Sequence, residues 1–529
     1  MIVVASIARG PLDIWQDSGS NNHMNSSLLA RTAVALFAGA LVATSGAVAS
    51  ARPIPDGPGY SSATKFIGSP AKANPVALPV VPTNPYMAPT GTSNIHNDTY
   101  MSDSYQWAGP LGKNTKVTSK WAGGECASMT FNSAGQLIAI CLLPKTPAFL
   151  TLMDPDSLKV LTRYNLTNRP TAAGALMNRD YTELSGSYFY LNNLDQPVVA
   201  TADHHLITYE LLKGKKGYAF SPVSDIDLNA SIVAGQPTFA ASGDSILSAL
   251  PDFNGNVWFV TTGGLVGALN PATKISQTVR LANEGITQSF SMSEDGGVYI
   301  VTNVAMYRFD AIAGLPTQGW RVVYLNDGVK KEGQKSAGSG TSPTVMPGGR
   351  VAITDNADPL NVVVYNTAIN APTRQVCLAP VFNKGASSTE NSLISVGDSL
   401  MVENNFGNLS VKSVTGGKTT VPGFARVDVQ ADGTCRNVWT NSTVSAPSVV
   451  PKFSAATGLI YTYTKPKGPG KVDRWYWTAL DYRTGEVVYS KLAGTGDVFN
   501  NSYASLYVAP SGVGYVGVLK GLIRVADMK

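Results

Sequence analysis

A chain of 529 residues with 51 glycines, 32 prolines and only 14% charged residues draws its solubility from Ser, Thr and Asn rather than from charge. Its net charge of +5 is thinly spread with no basic run, which argues against a nucleic-acid partner and against an anionic membrane surface. Length alone suggests roughly three or four domains, but repeat folds escape that rule because each unit buries its faces only against its neighbours.

Residues 1–51 read as an upstream extension plus a signal peptide, and so as lying outside the fold. Met24 offers a second start, followed by Arg31 and an apolar run from Thr32 to Val48. Small residues at Ala47, Ala49 and Ala51 give two overlapping cleavage signals, so cleavage is expected near Ala49 or Ala51. The run is rich in Gly and Ala, which suits a cleaved signal better than a retained anchor. The mature chain carries no further candidate span and is expected outside the cytoplasm, periplasmic or extracellular. Residues 52–99, with Pro75, Pro79, Pro82 and Pro85 closely spaced, read as an extended and mostly unpacked leader.

Residues 100–529 repeat one phrase: a short apolar strand, a turn rich in Gly, Asp, Asn or Ser, and a second apolar strand. Clear copies are Phe131–Ala139, Pro251–Val260, Met292–Val301 and Val345–Ile353; weaker ones lie at Ser395–Val402, Phe453–Tyr461 and Val508–Val516. A degenerate copy lies around Tyr188–Ala200. A period of about 40–60 residues signals propeller blades. Most copies continue into a third and fourth strand, as in Phe149–Asp154 with Leu158–Tyr164, and Leu265–Leu269 with Lys274–Val279. The last repeat shows only three strands, Ser505–Ala509, Gly514–Val518 and Leu522–Ala526, and Thr115–Trp121 is expected to supply the fourth and close the ring. The fold class is therefore an all-β propeller of about eight four-stranded blades, or seven if the degenerate copy is discounted. Asn326–Gly340 and Thr464–Asp473 are expected to be surface loops.

Export makes the four cysteines readable as disulfides. Cys126 and Cys141 flank the turn at Ser133–Ala134 symmetrically, so a hairpin there sets them opposite each other. Cys377 and Cys435, each in the last strand of consecutive repeats, then pair by elimination.

The stretch Ala479-Leu-Asp-Tyr-Arg-Thr-Gly-Glu-Val-Val-Tyr489 resembles the repeat of pyrroloquinoline-quinone-type propellers, with Tyr489 where that repeat has Trp. Fainter echoes stand at Leu152–Ser157 and Ala268–Thr273. The resemblance implies the propeller superfamily. Its dehydrogenases use a quinone, calcium and a vicinal cysteine pair; this chain has no vicinal cysteines.

No G-x-S-x-G, H-E-x-x-H or C-x-x-C motif occurs, and Gly416-Gly-Lys-Thr419 is an incomplete phosphate loop. Histidine occurs only at 23, 96, 204 and 205, and Asp203-His-His205 reads as an exposed turn in blade 2. One constellation remains. In a propeller, innermost-strand starts and second-strand ends share one face near the axis. Reading along that face collects Glu284, Gln288, Glu390, Asn391, Asn500 and Asn501 from the starts. Asn192, Asn193, Asn303, Asp355, Asn356, Glu403, Asn404 and Asn405 come from the ends. Such oxygen-rich sets suit a hard cation such as calcium. The set is similar in residue type to the channel mouths of gluconolactonase- and paraoxonase-like calcium propellers. Equally, Asn and Asp cap strand ends through Asx turns.

Two functions follow. One is an exported, non-catalytic propeller, read as a monomer, that binds an envelope protein, a glycan or a small molecule through this polar face. The other is a calcium-assisted lactonase or esterase, with the metal polarising the carbonyl and Glu403 or Asp355 as general base.

Overall fold

The computed structural model describes residues 52–142, 148–166, 188–233 and 244–528; the signal-peptide reading lies outside them. These residues form eight sheets, each with a four-stranded antiparallel blade at its centre. Within blades 1–7 the strands run A to D in chain order from the axis outward, starting at Glu125, Phe189, Ile246, Ser291, Thr344, Ile394 and Lys452. Blade 8 takes Leu506–Val508, Gly514–Val518 and Gly521–Ala526 from the C-terminus, and its fourth strand is Lys116–Trp121, paired Trp121 to Gly521 and Lys116 to Ala526. The ring is thus closed by the expected N-terminal strand. The one α-helix among the described residues is the short Asn229–Val233.

The repeated turn owes its shape to two residue types. An Asx side chain at its start accepts following backbone amides: Asn132 Oδ1 takes Gln136 N at 2.8 Å, and Asp252 Oδ1 takes Asn254 N and Asn256 N at 2.9 and 3.0 Å. Glycine then takes the left-handed position, with φ of 72° at Gly135 and 91° at Gly255. In blade 2 that position is Asp195 at φ 60°, while Asn192 Oδ1 keeps the first role. A missing glycine, not a missing turn, is what makes this copy look degenerate. Each blade buries both faces: strands such as Glu125–Phe131, Leu137–Leu142 and Val257–Thr261 are buried at every residue, and the apolar clusters run from one blade into the next.

Both expected disulfides form. Cys126–Cys141 joins directly paired residues of strands A and B in blade 1, and Cys377–Cys435 links the outermost strands of blades 5 and 6.

The expected extended, mostly unpacked leader is exposed over most of residues 52–83, but it is docked on the ring and becomes largely buried over residues 84–99. Phe66–Gly68 adds a strand outside Val487–Thr495 of blade 7, with Phe66 stacked on Tyr489 at 5.6 Å. Ile54, Ala63, Ala71, Met87 and Ala88 are buried. Proline density removed amide donors from the pattern without removing the acceptors and apolar side chains that dock the segment.

Candidate functional site: the axial channel

The two ends of the channel are built differently. At the end carrying the repeated turns, residues 87–107 form a strap across the inner strands. Leu191 N donates to Ser93 O, Met292 N to Thr99 O, Val345 N to Tyr100 O, Ser395 N to Ser102 O and Phe453 N to Asp103 O, all at 2.8–3.0 Å. The strap therefore satisfies the innermost strands of blades 2, 4, 5, 6 and 7. Ser104–Tyr105 completes it as a parallel strand on Phe453–Ser454. Three of its non-glycine residues, Asn97, Met101 and Asp103, hold φ of 79°, 56° and 54°, which lets the chain bend from blade to blade.

The strap is pinned from inside. Lys452, fully buried, contacts the Asp103 carboxylate and donates to Ile95 O at 2.6 Å. His96 Nδ1 lies 3.1 Å from Asp103, and His96 Nε2 lies 3.4 Å from Ser392 Oγ. That order, hydroxyl to imidazole to carboxylate, is the order of a nucleophile, its base and an orienting acid. Here, however, Asp103 is shared with Lys452, and Ser392, His96 and Asp103 are only 5%, 3% and 0% exposed. The group acts as an internal fastening. Asp98 completes it, with Ser102 Oγ donating at 2.5 Å; burial pushes the Asp98 carboxyl up to about 7.

At the opposite mouth lie the sequence-derived candidates, and they divide into separate groups. Glu284 receives Arg321 Nη2 at 2.7 Å, Tyr307 OH at 2.9 Å and Thr302 Oγ1 at 2.5 Å. Asp355 accepts Asn361 N and Nδ2 at 2.8 and 2.7 Å, and burial raises its pKa. Asn303 accepts Gly285 N, Asn356 donates to Asn326 Oδ1, Asn404 holds Ser388 and Phe406, and Asn500 donates to Val411 O. These residues staple loops. Asn192 and Asn193 do not belong to this mouth: they sit in the A–B turn of blade 2 at the strap end, where Asn193 Nδ2 donates to Pro85 O.

One group does converge. Gln288 Nε2 reaches Glu390 Oε1 at 2.7 Å, from blade 4 across to blade 6, and Lys335 N donates to Glu390 Oε2 at 3.0 Å. Glu403 Oε1 accepts Asn391 Nδ2 and Asn405 Nδ2 at 2.5 and 2.9 Å, and the Thr462 hydroxyl beside the carboxylate offsets part of the cost of its burial. Burial pushes Glu403 up to about 8 and Glu390 up to about 7. Glu125, which the repeat pattern did not single out, is buried at the start of the innermost strand of blade 1: it accepts Ser502 N, from the segment leading into blade 8, at 2.7 Å, and burial pushes it up to about 8. Tyr503 OH donates to Gly333 O at 2.9 Å, and so ties the loop after blade 4 over this mouth. No group of three or more His, Cys, Asp or Glu is placed to hold a metal ion among the described residues.

The two insertions are surface loops over residues 326–332 and 466–471, as expected, but their ends are held inside. Gln334 and Ser339 are buried, and Lys465 is fully buried 2.8 Å from Asp473. The incomplete phosphate loop explains itself here: the amides of Gly416 and Gly417 each hold an Asp473 carboxylate oxygen at 2.8 Å. The Asp203-His-His205 turn is likewise held, with His204 Nδ1 2.8 Å from Asn229 Oδ1 and Nε2 2.5 Å from Asp244 O.

No family model matches the chain. An uncharacterized protein of Archaeoglobus fulgidus is 28% identical over 323 residues, which is 54% of this chain and 62% of that protein. Among solved structures, Chaetomium thermophilum Sqt1 bound to the N-terminus of ribosomal protein L10 is 12% identical, with a TM-score of 0.45 over 74% of this chain and 93% of that one. A streptogramin B lyase is 11% identical, with a TM-score of 0.37 over 78% of this chain and 97% of that one. Likeness at this level says nothing of activity or partner.

Proposed function

We propose that the chain is an exported, non-catalytic β-propeller that serves as a rigid binding platform for an envelope protein, a glycan or a small molecule. The observation that carries this reading is the strap: a polar channel whose one mouth is crossed by five sets of backbone hydrogen bonds offers faces, not a pore. At the other mouth the carboxylates of Glu284 and Asp355 are already bonded to the protein's own groups. Two disulfides using all four cysteines support an oxidising destination. The Ala479–Tyr489 phrase folds into the C–D hairpin of blade 7, which supports kinship with the quinone-type repeat without its vicinal cysteines. On the strap end, a small open pocket lies between residues 78–81 and 100–107, walled by Leu78, Val81, Tyr105, Trp107 and Pro347, and it is the contact surface this reading favours.

The rival reading, a calcium-assisted hydrolase, has Glu403 as its natural donor, since this buried carboxylate has only neutral partners, Asn391, Asn405 and Thr462. One experiment separates the two. Purified protein is assayed on a panel of lactones and esters with calcium and with chelator, and its Tm is followed in parallel. The platform reading expects no turnover and a Tm indifferent to chelation. Calcium-dependent turnover abolished by Glu403→Gln would overturn it.

A further inference from the structure

Positive charge is not as evenly spread as the sequence suggests. Strands C and D of blade 2, His205–Gly214 and Gly217–Asp227, form the longest hairpin of the ring. Strand B pairs with strand C only at Leu206, Ile207 and Thr208. From Tyr209 onward the hairpin runs past its own blade for six residues, roughly 20 Å at the rise of a strand.

The two faces of this projection differ. One is rooted: Tyr209 and Phe220 are buried, and Tyr209 packs on Tyr164 of blade 1 at 4.9 Å. The other is free: Leu212 is 47% exposed, and its cross-strand partner Ala219 is exposed as well. At the tip, Lys213, Lys215 and Lys216 are all exposed, with Lys213 5.5 Å over the Tyr218 ring, and the one acid of the overhang, Glu210, stands at its base. Three cations and an exposed leucine thus stand together at the end of a stiff two-stranded arm.

We propose that this hairpin tip docks the protein on an anionic lipid surface, with the three lysines against phosphate headgroups and Leu212 entering the interface. Charge complementarity selects an anionic partner, and the outward leucine selects a lipid surface over a soluble polyanion, which offers no apolar phase to enter. The inference stands apart from the platform reading, because it concerns where the protein is held and not what it binds.

The test is co-sedimentation of the purified protein with vesicles of phosphatidylcholine containing one-third phosphatidylglycerol, compared with phosphatidylcholine alone. Binding is expected only to the anionic vesicles and is expected to fall steeply with added salt. Replacing Lys213, Lys215 and Lys216 together by Ala should weaken it on the order of 100-fold, taking the surface attraction per lysine as additive. Leu212→Ser should weaken it at unchanged charge. A control triple, Lys412, Lys467 and Lys471 to Ala, makes the same change in net charge elsewhere and should bind as wild type, with circular dichroism confirming that each variant folds. Equal binding to both vesicles, or tip and control triples that behave alike, would overturn the proposal. Loss of vesicle binding through the lysines with Leu212→Ser silent would overturn the entry of Leu212 into the interface and leave an electrostatic contact with the headgroups.

Discussion

Lys452 and Asp103, 349 positions apart in the chain, form an ion pair with neither side chain exposed to solvent. One belongs to the inner strand of blade 7 and the other to the strap, so the pair ties the N-terminal segment to the ring. Removing one member leaves the other charged and buried. Lys452→Met is therefore expected to cost about 3–5 kcal/mol, and to expose the strap to limited proteolysis between Asn94 and Gln106. Asp103→Asn with Lys452→Met should recover part of the loss. Denaturant unfolding and mass-spectrometric mapping of the cleavage sites measure both effects.

Stability should depend on pH in an unusual direction. Burial raises Asp98 and Glu390 to about 7, and Glu125 and Glu403 to about 8. A carboxyl whose folded pKa exceeds its unfolded value contributes stability that is complete below the unfolded pKa. That contribution is lost as pH rises through the folded pKa. Tm is expected to fall progressively from about pH 5 to pH 9, the span between ordinary carboxylate values and these. Glu403→Gln should flatten the upper part of the profile. A Tm that rises over this range would contradict the placement of these acids.

The bridges offer a third measurement. Non-reducing peptide mapping should recover Cys126–Cys141 and Cys377–Cys435. In the chain-entropy account the first, closing 15 residues, contributes about 3 kcal/mol, and the second, closing 58, about 4 kcal/mol. Cys377→Ser with Cys435→Ser should therefore lower stability at least as much as the Cys126 and Cys141 pair does.

A fourth concerns the repeat itself. Trp258, fully buried, donates its Nε1 to Asp252 Oδ2 at 2.9 Å while Oδ1 of the same carboxylate shapes the turn. Asp252→Ala strands that indole donor and is expected to cost about 1–3 kcal/mol. Denaturant unfolding of Asp252→Ala against wild type measures the loss.

The blades were legible because alternation and turn chemistry are local: Asn132 with Gly135, or Asp252 with Gly255, declare a hairpin within a few residues. Closure by Thr115–Trp121 was legible because the last repeat lacked a strand. The candidate site was legible only as a face. Composition brought Glu284 and Glu403 to the same end of the ring, but the Arg321 that occupies Glu284 comes from strand D of its own blade, at a spacing without a repeat signature. The strap was missed for a related reason. Its hydrogen bonds run to blades hundreds of residues away, and a proline-rich entry disguises it as linker. The three tip lysines stand within four positions in the sequence, but only the overhang of strand C beyond strand B turns them into a surface.

The closing strand imposes an order on the life of the chain. Lys116–Trp121 is synthesised before any blade, yet its partner Gly521–Ala526 follows the first seven blades in the chain. Until then the strand has an open edge, and blade 1 has no neighbour on one side. The strap's bonds to blades 4, 5, 6 and 7 wait as well, each until its blade exists. Residues 87–121 thus precede the blades that hold them, and their contacts complete one by one as those blades are made.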